Sequence, residues 1–223
     1  MILCIANVLD AEGLAAAQAL LRDGTFVDGA ATAGWAARQV KNTTRLQSGP
    51  AAEALQRQVV AALKANLVFA AAVLPLRFIA PQFLRYGPGM SYGAHVDNAL
   101  MGEGADRLRT DVSVTVFLSP PEEYDGGELV IDTTGGEEAY KLAAGSAVAY
   151  PSTTLHRVNE VTRGTRDVAV TWVQSFVRSV AHREVLFDLE RVSRALLERE
   201  GKTAEFDLLN KTTANLRRMW AEP

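Results

Sequence analysis

The sequence predicts a mainly β protein with helical additions: an antiparallel sandwich or barrel of the jelly-roll kind, with helices before it and a helical extension after it. Between residues 76 and 177, short β-prone runs alternate with turn signals rich in Gly, Pro and Asp, as is typical of antiparallel β architectures. On both sides of this stretch, apolar residues recur at helical spacing. We therefore expect an α/β support region at 1–75, the β core at 76–180 and a helical extension at 181–223.

The support region is predicted to begin with a short strand at 2–6, in which Cys4 is expected to be a small buried apolar residue. Asp10 can cap a first helix, and Pro50 suits the first turn of a second. The apolar stripes of these helices are Leu14, Ala17, Leu20 and Leu21 in the first, and Leu55, Val59, Ala62 and Leu63 in the second.

The β core and the extension follow from the same patterns. The β-prone runs lie at 76–86, 111–118, 128–132, 146–150 and 167–177. After residue 180 the charged fraction rises, and Gly201 separates two predicted amphipathic helices. Their apolar stripes are Val185, Leu186, Leu189, Val192 and Leu196 in the first, and Leu208, Leu209, Leu216, Met219 and Trp220 in the second.

Composition excludes several classes of protein. The 223 residues carry 23 Lys+Arg against 26 Asp+Glu, a net charge of −3, with three His and one Cys. A single thiol excludes a disulfide framework, an iron–sulfur cluster and a multi-Cys zinc site, and the slightly acidic balance argues against a nucleic-acid partner. The longest uncharged apolar run, between Lys64 and Arg77, is too short to span a membrane. We find no convincing targeting signal, so a cytoplasmic location is expected.

Because the chain has only three histidines, each can be assessed separately as a metal ligand. His95 and Asp97 stand two residues apart, and such side chains point to the same side of an extended chain. His156 lies between two β-prone runs and can return to the same sheet. Two histidines and one carboxylate form the facial arrangement that holds iron(II) and leaves coordination positions open. Zinc is the competing metal, and a structural His–Asp hydrogen bond is the alternative without a metal.

Arg166 follows His156 by ten residues, at the start of a strongly β-prone run. If the two residues lie on the strands of a hairpin, Arg166 can project into the same cavity as His156. A guanidinium in a partly apolar pocket needs an anion, and its planar fork matches a carboxylate. The alternative is a surface ion pair of Arg166 with Asp167 or with a neighbouring residue.

In combination, these residues resemble the signature of the iron(II)- and 2-oxoglutarate-dependent dioxygenases, whose fold is a double-stranded β-helix. The phrases at 85–97, 124–129 and 172–178 resemble more narrowly the bacterial PKHD-type hydroxylases, in the prolyl-hydroxylase-like branch. The resemblance implies that three residues bind the iron and that three others bind or line the site of the cosubstrate. His182 matches no ligand position of the family. The implied iron ligands are His95, Asp97 and His156, and the implied 2-oxoglutarate residues are Arg166, Tyr86 and Trp172.

The resemblance also implies an activity. An unidentified substrate, either a protein side chain or a small molecule and with a link to iron acquisition, would be hydroxylated with dioxygen while 2-oxoglutarate is decarboxylated to succinate and carbon dioxide. L-Ascorbate and a homo-oligomer are left open, and segment 98–110, with Gly102 and Gly104, is expected to form a flexible lid beside the metal. Two alternatives remain: a cupin-like isomerase or hydrolase without 2-oxoglutarate, and a non-enzymatic iron-sensing adaptor whose C-terminal helices bind a partner. Tyr86 and Trp172 could also be ordinary core aromatics.

Overall fold

The computed structural model describes residues 1–30, 34–35 and 37–222. The strands in these residues are β1 (Leu3–Ile5), β2 (Phe26–Asp28), β3 (Lys41–Asn42), β4 (Thr44–Leu46), β5 (Pro75–Phe78), β6 (Gln82–Tyr86), β7 (Ser91–His95), β8 (Leu100–Met101), β9 (Leu108–Arg109), β10 (Val112–Phe117), β11 (Tyr124–Gly126), β12 (Leu129–Thr133), β13 (Gly136–Tyr140), β14 (Ala147–Pro151), β15 (His156–Val158), β16 (Val161–Gly164) and β17 (Arg166–Ser175). The α-helices are α1 (Ala11–Asp23), α2 (Pro50–Ala65), α3 (Leu67–Val73), α4 (Val180–Glu200) and α5 (Ala204–Trp220).

Two antiparallel sheets form the centre of the protein. The main sheet has the strand order β1-β14-β10-β17-β6-β4-β2, with β5 also paired to β17. The second sheet has the order β13-β12-β15-β7-β3. Apolar side chains from both sheets meet in one buried cluster, so the sheets face each other as a jelly roll. The predicted fold class is confirmed. The boundaries predicted near residues 75 and 180 stay predictions. Strands β1, β3 and β4 from the first segment pair with strands of the core.

The main sheet is buried on both faces, because helices cover the face that the second sheet leaves open. Strand β10 shows the consequence of alternation along a strand. Val112, Val114 and Val116 enter the cluster shared with α1, α2 and α3, whereas Phe117 enters the cluster between the sheets. Ser113 and Thr115 share the inward face of Phe117, so this strand places two hydroxyls inside the sandwich.

The first two helices are confirmed and a third appears between them and the core. The side chain of Asp10 accepts a hydrogen bond from Gly13 N at 2.8 Å and caps α1, and α2 begins at Pro50. Helix α3 occupies the uncharged apolar run, with Asn66 accepting from Phe69 N at 3.0 Å as its cap. Helix α3 gave no periodic signal because all seven of its residues are apolar. The predicted run at 76–86 is two strands, β5 and β6, separated by an irregular connection that contains Pro81.

The expectation for Cys4 is wrong, because the structure places this side chain at the surface. Strand β1 pairs only with β14 in the described structure and forms one edge of the main sheet. Its neighbour Ile5 points inward and is buried. Successive strand residues point to opposite faces, so Cys4 lies on the other face from Ile5, level with Val148 of the neighbouring strand. It stays exposed because β1 is an edge strand of the sheet.

The apolar stripes predicted for the C-terminal helices are partly wrong. In α4, Val185 and Val192 are 45% and 56% exposed, and in α5 Leu208 and Met219 are 59% and 73% exposed. The face of α4 that is buried carries Arg183 instead of a further aliphatic residue. Its guanidinium donates to the carbonyl oxygens of residues 177 and 178 at 2.7 and 2.8 Å, a contact that apolar periodicity cannot reveal. In the described residues we find no helix with the length and apolar character needed to cross a membrane.

Candidate active site

His95 and His156 lie side by side in the second sheet. His95 ends β7, His156 begins β15, and the two residues are register partners. The Nδ1 atom of His95 is 2.8 Å from the carbonyl oxygen of Gly93, and that of His156 is 3.0 Å from the carbonyl oxygen of Thr154. Because a carbonyl oxygen only accepts, each Nδ1 carries the proton and donates it. Each Nε2 therefore keeps its lone pair for a metal ion.

Asp97 completes a group of three possible metal ligands. Its Oδ1 lies 4.0 Å from His95 Nε2 and its Oδ2 lies 3.9 Å from His156 Nε2. One ligand atom from each residue lies within 4.8 Å of the others, and all three side chains are at most 7% exposed. Two imidazoles and one carboxylate suit iron(II) with open coordination positions. The structure thus brings together the three residues that the sequence singled out.

Aromatic rings surround the two histidines. The ring of Tyr92 stacks on that of His95 at 3.6 Å, and Tyr150 meets His156 edge to face at 5.1 Å. Lys41 Nζ lies 5.1 Å from the centre of the Tyr92 ring, and burial lowers the pKa of this lysine to about 8. None of these three residues was predicted. Tyr92 stands in the phrase at 85–97 and Tyr150 ends the predicted β run at 146–150, whereas nothing in the sequence around Lys41 connects it with the site.

The environment of His95 favours the neutral imidazole. Burial, and after it the charge of His156, lowers the pKa of His95 from 6.5 to about 4. At neutral pH the imidazole is therefore uncharged, which is the form that binds metals.

Stability of the metal-free protein is expected to fall as the pH is lowered from about 6.5 towards 4. In this interval an unfolded chain protonates His95 while the folded protein does not, so protons bind preferentially to the unfolded state. The loss in the free energy of unfolding that is due to His95 amounts to at most about 3 kcal/mol. Chemical denaturation at several pH values would measure it, with His95→Gln as the comparison. An equally steep pH dependence in His95→Gln would contradict the assignment.

A cleft enclosing about 710 Å³, part of it open to solvent, contains the metal-ligand group. All six residues proposed from the sequence as site residues line this cleft. They are Tyr86, His95, Asp97, His156, Arg166 and Trp172. The predicted lid segment forms a small hairpin of β8 and β9 beside it, and Met101 from this hairpin also lines the cleft. The flexibility of the hairpin stays a prediction.

Arg166 reaches the cleft from the main sheet. Its residue is 1% exposed, and its Cζ lies 4.9 Å from the centre of the Tyr86 ring. Among the described residues, Arg166 Nε and Nη1 have no hydrogen-bond partner, and neither has Trp172 Nε1. Buried donors left without an acceptor are costly. The arrangement therefore fits a planar anionic ligand such as the carboxylate of 2-oxoglutarate.

The predicted route of Arg166 into the cleft is wrong in one respect. His156 and Arg166 do not lie on the two strands of one hairpin, because β15 belongs to the second sheet and β17 to the main sheet. Strand β16 intervenes and pairs with β11. The two residues therefore approach the cleft from opposite walls. Asp167 pairs with Arg85 at 2.8 Å, which removes the alternative of an ion pair with Arg166.

Gly127 determines how closely the backbone approaches Arg166. Its φ is +67°, and a Cβ atom at this position would lie 2.9 Å from Arg166 Cδ and 2.9 Å from Val161 Cγ2. The sequence showed this glycine only as part of a turn phrase. Its structural role is to leave room for the guanidinium stem.

Gly127→Ala is expected to weaken 2-oxoglutarate binding about tenfold while leaving metal affinity unchanged. The added methyl group must displace Arg166, and a change of about 1.4 kcal/mol at the anion site corresponds to that factor. Calorimetric titration with 2-oxoglutarate would measure it. Gly135→Ala is the matched control, since a Cβ there meets only Thr133 Oγ1 at an ordinary 3.7 Å. Unaltered 2-oxoglutarate affinity in Gly127→Ala would refute the role given to this glycine.

Fold and site together define an iron- and 2-oxoglutarate-dependent oxygenase, and a family model agrees. Residues 81–174 match the model described as the 2OG-Fe(II) oxygenase superfamily. The matched range contains all six predicted site residues.

Curated relatives narrow the assignment. A PKHD-type hydroxylase of Acaryochloris marina is 53% identical over 223 residues, covering 100% of both chains. A PKHD-type hydroxylase of a Picosynechococcus species is 51% identical over 219 residues, covering 98% of each chain. The chain belongs to the PKHD-type hydroxylases of the 2OG-Fe(II) oxygenase superfamily. It is therefore a 2-oxoglutarate-dependent dioxygenase, which disfavours both the cupin-like isomerase and the non-enzymatic adaptor.

Solved structures support the fold. A Pseudomonas putida prolyl-4-hydroxylase superposes with a TM-score of 0.51 at 20% identity, covering 78% of this chain and 92% of that one. A prolyl hydroxylase from Trichoplax adhaerens, solved with a peptide fragment of hypoxia inducible factor, gives a TM-score of 0.53 at 14% identity, with 77% and 82% covered. At these identities the likeness concerns the fold alone.

Proposed function

We propose that this hydroxylase couples oxidation of a substrate C–H group to the oxidative decarboxylation of 2-oxoglutarate. One oxygen atom of dioxygen enters the new carboxylate of succinate, the other enters the substrate hydroxyl group, and carbon dioxide leaves. The observation that supports this most is the meeting, in one cleft, of a two-His, one-carboxylate group with a buried arginine two of whose nitrogens lack a partner among the described residues.

The residues present fit the iron and its cosubstrate. His95, Asp97 and His156 would hold the ion, and Arg166 would bind the distal carboxylate of 2-oxoglutarate. The formal charges of iron(II), the Asp97 carboxylate, the 2-oxoglutarate dianion and the Arg166 guanidinium cancel. A neutral assembly avoids the cost of an uncompensated buried charge.

The protein's own groups bind, orient and exclude water, while the iron, when bound, supplies the activation of dioxygen. Nδ1–H donation to two carbonyl oxygens fixes the orientation of both imidazoles. Tyr86 and Trp172 form apolar walls of the cleft on the side of Arg166. These walls keep the Arg166 guanidinium poorly hydrated, which strengthens its attraction for a carboxylate.

The proposed substrate is a protein side chain or a small molecule, and the proposed physiological role is in iron acquisition. The support for both is the likeness to PKHD-type hydroxylases alone. L-Ascorbate as a reductant and a homo-oligomeric state are proposed on the same basis.

The experiment that tests the function needs no identified substrate. Anaerobic addition of iron(II) and 2-oxoglutarate to the protein should produce a visible charge-transfer band. Admission of dioxygen, with L-ascorbate supplying the two electrons and two protons that reduce the second oxygen atom to water, should then release succinate and carbon dioxide in equal amounts. A protein that binds iron(II) and yet gives neither the band nor succinate would overturn the proposal. Succinate assays with candidate peptides and siderophores would then identify the substrate by its stimulation of turnover.

A further inference from the structure

A buried hydrogen-bonded pair of serines stands behind the metal-ligand group. Ser113 Oγ lies 2.5 Å from Asp97 Oδ2, and Ser152 Oγ lies 2.8 Å from Ser113 Oγ. The two serines are 2% and 3% exposed. Neither serine belongs to any pattern by which the sequence indicated a metal site.

The direction of these hydrogen bonds follows from the inventory of donors. An ionised carboxylate only accepts, so the single hydroxyl proton of Ser113 is donated to Asp97. Ser113 Oγ can then only accept in its contact with Ser152, which must be the donor. Two hydroxyl dipoles are thus aligned towards Asp97 Oδ2. Oδ1 accepts no hydrogen bond from the described residues, which leaves it as the oxygen presented to a metal.

The pair also bridges the two sheets. His95 and His156 come from neighbouring strands of the second sheet, and ladder pairing fixes their relative position. Asp97 lies beyond the end of β7, where no strand pairing holds it. Ser113 lies on β10, which is paired on both sides, with β14 and β17. The contact therefore ties the one ligand that the second sheet does not fix to the centre of the main sheet.

Ser152 is itself held in place. It follows directly after β14, and its backbone N–H donates to the carbonyl oxygen of Asp111 at 3.2 Å. Ser152 is thereby tied to the residue directly before β10, the strand that carries Ser113. A packed, hydrogen-bonded support of this kind is what orients a metal ligand.

We propose that Ser113, supported by Ser152, is a positioning residue that fixes the Asp97 carboxylate for one-oxygen coordination of the metal. This inference rests on the proposed function, because it presupposes that Asp97 is a ligand. Ser152 acts only through Ser113. Removing both hydroxyls should therefore cost no more than removing that of Ser113 alone.

The test is the affinity for Mn(II) alone, measured by calorimetric titration of the full-length protein. Ser113→Ala should bind Mn(II) about 10- to 100-fold more weakly than the wild type, the usual effect of losing a partner of a metal ligand. Ser152→Ala should show a smaller loss of about threefold to tenfold. The double variant should match Ser113→Ala, a non-additivity that loosened packing would not produce.

Control variants distinguish a wrong role for Ser113 from misfolding and from a wrong proposed function. Ser193→Ala removes a buried hydroxyl on α4 that has no hydrogen-bond partner among the described residues, and it should bind Mn(II) like the wild type. Wild-type affinity in Ser113→Ala, or additive losses in the double variant, would overturn the inference. If Ser113→Ala does not fold by circular dichroism, unchanged affinity in Ser152→Ala overturns it. Absence of Mn(II) binding by the wild type would count against the proposed function instead.

Discussion

Arg166→Met is expected to weaken 2-oxoglutarate binding by more than about 30-fold without loss of stability in the metal-free protein. Truncating one partner of a buried charged pair costs about 2 kcal/mol or more, which corresponds to that factor. Arg166 is 1% exposed, and two of its guanidinium nitrogens lack partners among the described residues. An apolar side chain of similar length removes this unpaired charge, so the free energy of unfolding should stay equal or rise.

Two measurements on each variant check this prediction. The shift of the melting temperature on addition of 2-oxoglutarate reports binding, and denaturation without ligand reports stability. Arg163→Met is the matched control, because Arg163 is three residues earlier, exposed, and paired with Asp125 at 2.6 Å. Strong destabilisation of Arg166→Met together with a normal 2-oxoglutarate shift would show that Arg166 is a structural residue.

The site residues could be predicted from the sequence because their signals are local. His95 and Asp97 are two residues apart, and Arg166 shares one strand face with Trp172. Alternation along a strand places Arg166 and Trp172 on one side of β17. Asp97 follows the end of β7, and its closeness in sequence keeps it beside His95. The side-chain types then indicated the metal, because two imidazoles and a carboxylate are a donor set typical of iron(II).

Other features could not be predicted because they depend on pairing between distant segments. The placement of β15 and β17 in opposite sheets is decided by strand order, which the spacing of ten residues between His156 and Arg166 does not contain. Lys41 enters the cleft because β3 pairs with β7 across about fifty residues of chain. Ser113 meets Asp97 only after the two sheets face each other.

The C-terminal helices and Cys4 show a different limit. An apolar stripe predicts which face of a helix is buried only if the surface that covers it is apolar too. The chain just before α4 presents the carbonyl oxygens of residues 177 and 178 to the helix, and both accept hydrogen bonds from Arg183. Cys4 is exposed because β1 is an edge strand, a position that the three residues of the strand do not reveal.

His156→Ala is expected to lower the affinity for iron(II) more than 100-fold, beyond the roughly 10- to 100-fold loss typical of removing a supporting partner. One of three donor groups disappears, and no other His, Cys, Asp or Glu among the described residues joins this group. The charge-transfer band with 2-oxoglutarate should disappear, and succinate formation should cease. Overall folding should be retained, because the backbone pairing of β15 with β7 and β12 does not involve the imidazole.

His182→Ala provides the matched control for this prediction. His182 is the third histidine and stacks on the ring of Trp220 at 4.1 Å, in the first turn of α4. The same substitution at this position should leave iron(II) affinity and succinate formation unchanged while altering the fluorescence of Trp220. Equal losses of iron(II) affinity in both variants would indicate a general effect of removing imidazoles. A loss confined to His156→Ala locates the metal between the two strands that carry His95 and His156.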